Sequence, residues 1–419
     1  MTADITVKAT DASDLLTLAV GAALSSGTSG GTAQGSVAIA DTSKATSVVM
    51  NYNDVSNLNS TGTKAKVTAK ANNTSKITTS ADSLAATTAN VALGAGVAVN
   101  KNANDTTVSA KGGNYKVKDM LLESTSEAKI LNIGIGVAAT TGQGGTMAGN
   151  VVVNNIKNNT TAHMDGTTVT ADGDVGVLAT GKEHIKNYVG GLALTLGQGY
   201  VGLGASVAVN TIGGNVSSTV DGGSVINASG GEGLDVSLYG VDNDKNLTTG
   251  TEKKTGLIIA ADGKHEIDSV VVTAGVAVGA TAGVAASGTV TVNSISGSTD
   301  ALLQNSTVNN AATGDKANVQ VLANDNTEID SHVGSAALGI GADAGVAAGE
   351  ASDTNVLSRN TQARILGKSN TERSTVNGNK VAAQAFSRQD ITTNAIGVSA
   401  SGGMYGAAGL AGTISGNEK

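Results

Sequence analysis

Apolar and polar residues alternate with period two through most of the chain. Between positions 201 and 210, Val201, Leu203, Ala205, Val207 and Val209 share one side, and Gly202, Gly204, Ser206, Ala208 and Asn210 share the other. Leu93, Ala95, Val97 and Val99 stand in the same way against Gly94, Gly96, Ala98 and Asn100. Side chains alternate across a strand and recur every three to four residues on a helix. No helix-length stretch carries the second period, so the pattern predicts strand after strand. One face is apolar and the other nearly bare. A Gly/Ala/Ser face admits a second layer at close range, so both faces can be covered and the resulting coil should be thin.

The pattern also repeats at long range. A short strand followed by a polar turn begins at Ile5, Val67, Met120, Val175, Leu257, Val319 and Val381, with intervals of 62, 53, 55, 82, 62 and 62 residues. The long interval contains another copy, Val236-Ser-Leu-Tyr-Gly240, 61 residues after Val175 and 21 before Leu257. The charged stretch between them predicts an inserted surface loop over 242–256, or a small extra coil. A second marker, Val-x-Val-Asn, ends at Asn100, Asn154, Asn210 and Asn293, with weaker copies at Asn355 and Asn417 and Ala40 in the equivalent place of the first unit. These asparagines are spaced 54, 56, 83, 62 and 62 residues apart, in step with the first marker.

Within 257–318 the expected order is a short strand Leu257–Ala261 and a turn at Asp262-Gly263. A long strand Ile267–Val278, a break, a second long strand from Gly283 to about Leu303 and a short Ser-Thr-Val segment follow. Stacking such units so that equivalent strands pair gives an all-β fold, a right-handed parallel β-solenoid rod of about seven units of ~54–62 residues, continuous over 1–419. Asn100, Asn154, Asn210, Asn293, Asn355 and Asn417 should then stack as an amide ladder at a corner of the coil. A 62-residue unit fits either one wide flattened coil or about three narrow ones. Uninterrupted alternation favours the first and the 21-residue spacing the second.

Composition agrees with a chain made of central strands. Proline, which removes a ladder hydrogen bond, is absent among 419 residues, and glycine numbers 57. The seven aromatics, six Tyr and Phe386, are too few to anchor an ordinary enzyme pocket or the two girdles of a membrane barrel. The absence of cysteine excludes a disulfide framework and thiolate chemistry, and suits a secreted bacterial protein. A net charge of −8 from only 14% charged residues, without a basic patch, excludes a nucleic-acid partner. The uncharged stretches 187–220 and 269–299 mimic membrane spans in length, but they alternate and are rich in Gly, Thr and Ser, so no membrane insertion is expected. The N-terminus lacks a basic and an apolar segment, so any export signal is expected outside this sequence.

Motifs that suggest chemistry lack their context. Gly197-Gln-Gly199-Tyr-Val-Gly202 has dinucleotide-loop spacing, but an alternating strand follows where a helix is required. Gly230-Gly-Glu-Gly-Leu-Asp235 matches half a calcium nonapeptide, yet such sites need tandem copies, so a turn is expected. His163, His184, His265 and His332 read as surface strand residues, with His184 and His265 facing opposite sides. No catalytic residue, cofactor site or metal ligand is assigned.

The segments Gly202-Leu-Gly-Ala-Ser-Val-Ala-Val-Asn-Thr-Ile212, Asn154-Asn-Ile-Lys-Asn-Asn-Thr-Thr-Ala162 and Asp165-Gly-Thr-Thr-Val-Thr-Ala-Asp-Gly-Asp-Val175 resemble the repeats of leukotoxin-type filamentous adhesins of anaerobic Gram-negative bacteria. The resemblance implies a very large type V secreted protein, by two-partner secretion or as an autotransporter passenger, that folds outside the cell into a rod. It supplies no catalytic residues. The expected function is therefore a structural and adhesive rod at the bacterial cell surface or in an extracellular filament. Head-to-tail self-association and contact with a host or neighbouring cell would be its partnerships. The alternatives are a calcium-dependent or glycan-binding solenoid or a toxin passenger segment. An enzyme on a β-helix is disfavoured, because charges are scattered rather than gathered in a groove.

Overall fold

The computed structural model describes residues 4–27, 29–56, 64–197, 200–241, 247–309 and 317–419. Each unit is one wide flattened coil. In the fifth, the strand Leu257–Gly279 leads through a tight turn into Ala282–Gln304, and the short strand Thr307–Asn309 closes the far end. Equivalent strands pair in parallel and in register from coil to coil. The result is a parallel β-solenoid of two long sheets with seven rungs each and a narrow six-stranded third sheet. The first long sheet runs from Ile5–Ser25 to Val381–Gly402, and the second from Gly31–Asn51 to Gly406–Glu418. In the third rung of the second sheet the strand is split into Gly145–Lys157 and Asn159–Asp165. Among the described residues there is no helix, and so none long and apolar enough to cross a membrane.

The seven strand-start markers form one column, Ile5 against Val67, then Met120, Val175, Leu257, Val319 and Val381. Val175 pairs directly with Leu257, so the 82-residue interval is one coil plus an excursion. Val236, despite matching the marker, does not join the sheet. It lies in an antiparallel hairpin of Leu234–Val241 and Leu247–Lys254, which extends the expected loop of 242–256 backward; residues 242–246 lie outside the described residues.

Two expectations change. Asp262-Gly263 is no turn, because the strand runs unbroken from Leu257 to Gly279. Gly263 is needed for interior space, since a Cβ there would stand 2.9 Å from the His265 ring and 3.0 Å from the Asp325 carboxylate. The Asn positions are not corners either, since Asn210 sits in the middle of Val201–Asp221 and faces the interior.

The two long sheets diverge from the tight turn toward the narrow sheet, so the cross-section has a thin half and a wide half. The wide half holds a core of larger side chains, including Tyr115, Met120, Ile259, Leu303 and Val308. Next to it Ile77, Ile130, Ile185, Ile267 and Ile329 stack in one inward column. The thin half is filled by alanine, with Ala85, Ala92, Ala138, Ala148 and Ala193 in one cluster and Ala277, Ala285, Ala337 and Ala347 in another. Its glycines set the sheet spacing. A Cβ on Gly202 would fall 2.3 Å from the Val276 carbonyl oxygen. The small-residue face of the alternating strands is thus the interior, and the aliphatic face of the thin half points outward.

Candidate functional site

The six marker asparagines meet in an unbroken chain. Each side-chain amide donates to the next carbonyl along the rod, Asn100 to Asn154 at 2.7 Å, Asn154 to Asn210 at 2.8 Å and Asn210 to Asn293 at 2.8 Å. Asn293 donates to Asn355 at 2.7 Å and Asn355 to Asn417 at 3.1 Å. A second polar column, Thr79, Asn132, Asn187, Ser269, Ser331 and Thr393, faces it from the first sheet. Asn210 also donates to Ser269 at 3.2 Å and Asn293 to Ser331 at 3.0 Å. Below the first Asn, opposite Ala40, Thr79 donates to the Asn100 carbonyl. A buried amide left unpaired costs about 1–3 kcal/mol, so stacking identical amides at the strand spacing is what makes this interior tolerable. The facing column has no sequence marker, because its members change between Thr, Asn and Ser.

A second polar cluster lies in the wide half. His265 is only 2% exposed, against the expectation of a surface position. Its Nδ1 meets the Glu183 carboxylate from the preceding coil, and its Nε2 lies 3.9 Å from Asp325 in the following one. Arg359 donates from Nε to Asp325 at 2.9 Å and from a terminal nitrogen to the Ser296 carbonyl at 2.8 Å. Thr299 and Thr327 hydroxyls also donate to Asp325. Burial alone would raise the Asp325 carboxyl, but His265 and Arg359 hold it below the usual carboxylate range. His265 can be inside because Glu183 stands beside it in register with the same column, a partner 82 residues away in sequence.

The other three histidines are half-buried or exposed on outer faces, each beside an acid, His163 with Asp221 at 2.8 Å, His184 with Asp268 at 3.1 Å and His332 with Asp330 at 3.3 Å. The ligand atoms of His184, Glu266 and Asp268 all lie within 4.8 Å of one another, a grouping that could approach a metal ion. Asp268 is already served by the His184 ring nitrogen and by Lys186 at 3.4 Å, and its hydrogen bond to His184 holds its carboxyl below the ordinary value.

The Gly230–Asp235 segment forms a turn around a carboxylate of the chain itself. Buried Asp174 accepts the backbone N–H groups of Gly231 at 2.9 Å, Gly233 at 2.9 Å and Gly256 at 2.8 Å, fastening the base of the hairpin. Gly230 and Gly233 have φ of +83° and +85°, which side chains rarely adopt. Gly197, at the head of the Gly-x-Gly-x-x-Gly segment, ends one strand with φ +95°, and Val201 begins the next. Gln198 and Gly199 lie outside the described residues.

The hairpin folds back over the outer face of the first sheet. Val236 packs on Ile258, Ala260 and Leu322, and Tyr239 meets Phe386 edge to face at 6.1 Å. Beside this patch a polar cleft of about 650 Å³ opens between Ser237, Tyr239 and Thr251 of the hairpin and Lys182, Asp262 and Arg388 of the sheet. Burial raises the Asp262 carboxyl, and burial next to that carboxylate raises the Tyr239 phenol far above its ordinary value. Asp262 Oδ1 has no hydrogen-bond partner within the protein. The cleft therefore presents hydrogen-bonding groups of both signs.

No protein-family model, curated protein or solved structure matches this chain.

Proposed function

We propose that the chain is a structural and adhesive rod of a large secreted bacterial surface protein, able to stack head to tail into extracellular filaments. The observation that carries this reading is the unbroken continuity of the stack, with seven in-register rungs in each long sheet threaded by one asparagine chain. The outer backbone edge of a rung is a template for the next coil, whether that coil comes from the same chain or from another copy. Each coil rests on its neighbour alone, so such a chain can fold stepwise as it emerges from a secretion pore. The absence of cysteine and proline removes two slow steps, disulfide formation and X-Pro isomerisation, from that process. The resemblance of the repeats to filamentous adhesins supports the same reading.

Electron microscopy over a concentration series tests it. Filaments of constant width that lengthen with concentration are expected, and strictly monomeric particles at high concentration would overturn the stacking. The partly unsatisfied Asp262 in the hairpin cleft favours a second reading, a glycan-binding solenoid. A glycan array showing retention through that cleft would favour it over a purely structural rod.

A further inference from the structure

The Val-x-Val-Asn marker encodes two surfaces at once. In Val97-Ala98-Val99-Asn100 the alanine and the asparagine face inward, and the two valines face outward. Because the rungs are in register, the outward residues form ridges along the rod. Val37, Val97, Val151, Val207 and Val290 make one ridge over five coils. Gly35, Ala95, Gly149, Ala205 and Gly288 make a furrow beside it, and Leu93, Met147 and Leu203 raise its far wall. Val37, Val151 and Val290 are 63%, 43% and 42% exposed. In the sixth coil Glu350 enters the furrow and Ser352 the ridge, so the apolar strip ends there.

We propose that this face of the second long sheet docks against the same face of a second copy of the chain, side by side and not end to end. Three features select that occupant. The strip carries no charge over five coils, so it offers nothing to a charged partner. A ridge beside a furrow of matching length is self-complementary under a two-fold axis, and isologous contacts of this kind close as dimers. With the flanking uncharged columns that contain Val91 and Val99, five rungs and five outward columns span on the order of 800 Å² per copy, close to one partner's share of a standard stable interface. Two sheets meeting face to face through aliphatic side chains pack at the ordinary sandwich distance of about 10 Å.

The test combines charge and cross-linking on the whole chain. Val151→Lys with Val207→Lys places two ammonium groups on the strip without touching the interior. At concentrations below those at which filaments lengthen, sedimentation should show the parent chain as a dimer and this variant as a monomer, with circular dichroism unchanged. The chain has no cysteine, so a Val151→Cys variant can be joined only between copies, and a bis-maleimide spanning about 10 Å should yield a covalent dimer. Val272→Cys, 52% exposed on the outer face of the first sheet, should yield none. A parent chain that stays monomeric at every concentration would overturn the proposal, as would a dimer that survives both lysines. Binding of the parent strip to phosphatidylcholine vesicles in place of a second copy would overturn it in favour of lipid. Filament lengthening that persists in the lysine variant leaves end-to-end stacking intact, so the two readings fail separately.

Discussion

Ile185 and Gly191 lie on the same strand, both pointing inward, six positions apart, and their surroundings differ in kind. Ile185 belongs to a stack of isoleucines that fills the wide half of the coil, where side chains separate the sheets. A Cβ on Gly191 would meet the Ser206 hydroxyl at 3.1 Å and the Gly149 Cα at 3.2 Å, because in the thin half backbones approach each other directly. The wide half is stabilised by burying apolar side chains, as in most domains. The thin half buries valines such as Val152, Val189 and Val271 only in the layer next to the asparagine seam, and beyond it little more than methyl groups, so it depends on backbone ladders. It also leaves its aliphatic side chains outside, which is why an uncovered apolar strip appears there, whereas the outward aliphatic patch of the wide half at Ile258, Ala260 and Leu322 lies under the hairpin. The comparison shows that one repeat can satisfy two packing rules when its small and large residues exchange sides along a single strand.

The largest expected effect tests the wide half through its buried charges. Arg359→Met removes the cation beside Asp325 and keeps the apolar stem. Leaving a buried charge wholly unpaired costs about 3–5 kcal/mol, and because His265 and the Thr299 and Thr327 hydroxyls stay beside Asp325, the lower end of that range is expected. Urea unfolding at neutral pH should show a loss of that size. The loss should shrink as the pH falls and Asp325 takes up a proton, because protonation removes the unpaired charge. An unchanged midpoint at neutral pH would mean that the network is neutral as folded, and that the wide half rests on its aliphatic columns alone.

The same contrast explains what could be read from sequence. The rungs were legible because Leu257, Val319 and Val381 recur at a fixed interval and pair as that interval implies. The asparagine column was legible for the same reason, since an amide at a constant offset from two valines has one place to go in a stacked coil. Which side of the strand faced inward was not legible. Period two fixes the alternation but not its polarity, and near the tight turn the sheets are too close to hold valine, so alanine and glycine face inward there. His265 looks like a surface strand residue in the sequence because Glu183 and Asp325 are its neighbours only through the stacking. Val236 imitated a rung start, but a strand-like segment pairs wherever a partner is nearest, and its partner was the charged stretch after it.

A thin-half substitution of intermediate effect sharpens the contrast. Gly275→Val would place a Cβ 2.3 Å from the Ala286 carbonyl oxygen and 2.9 Å from that of Gly202, both fixed backbone atoms. Overpacking of this kind costs about 1–3 kcal/mol and more where backbone must move, so a loss near 3 kcal/mol is expected. The outward neighbour Val276 should tolerate alanine with under about 1 kcal/mol. Equal losses at the two positions would contradict a thin half held at backbone contact, and the urea midpoints of the pair decide the matter.

The smallest effect belongs to the outer face of the first sheet, where neither packing rule applies. The hydrogen bond from His184, helped by Lys186, lowers the Asp268 carboxyl in the folded chain. A carboxylate whose folded value is depressed contributes stability above its unfolded value of about 3.9, and that contribution is lost as the pH falls through the folded value. Asp268 is about one-third exposed, so solvent screening limits the contribution to under about 1 kcal/mol. Asp268→Asn should therefore lower the urea midpoint slightly at pH 7, and the difference should shrink as the pH falls and the parent carboxyl takes up its proton. High salt at pH 7 should narrow the same gap, since exposed pairs are screened and buried ones are not. If the difference instead persisted at low pH and in salt, Asp268 would be supporting the sheet by shape and not by charge, and the outer face would have to be counted with the packed halves.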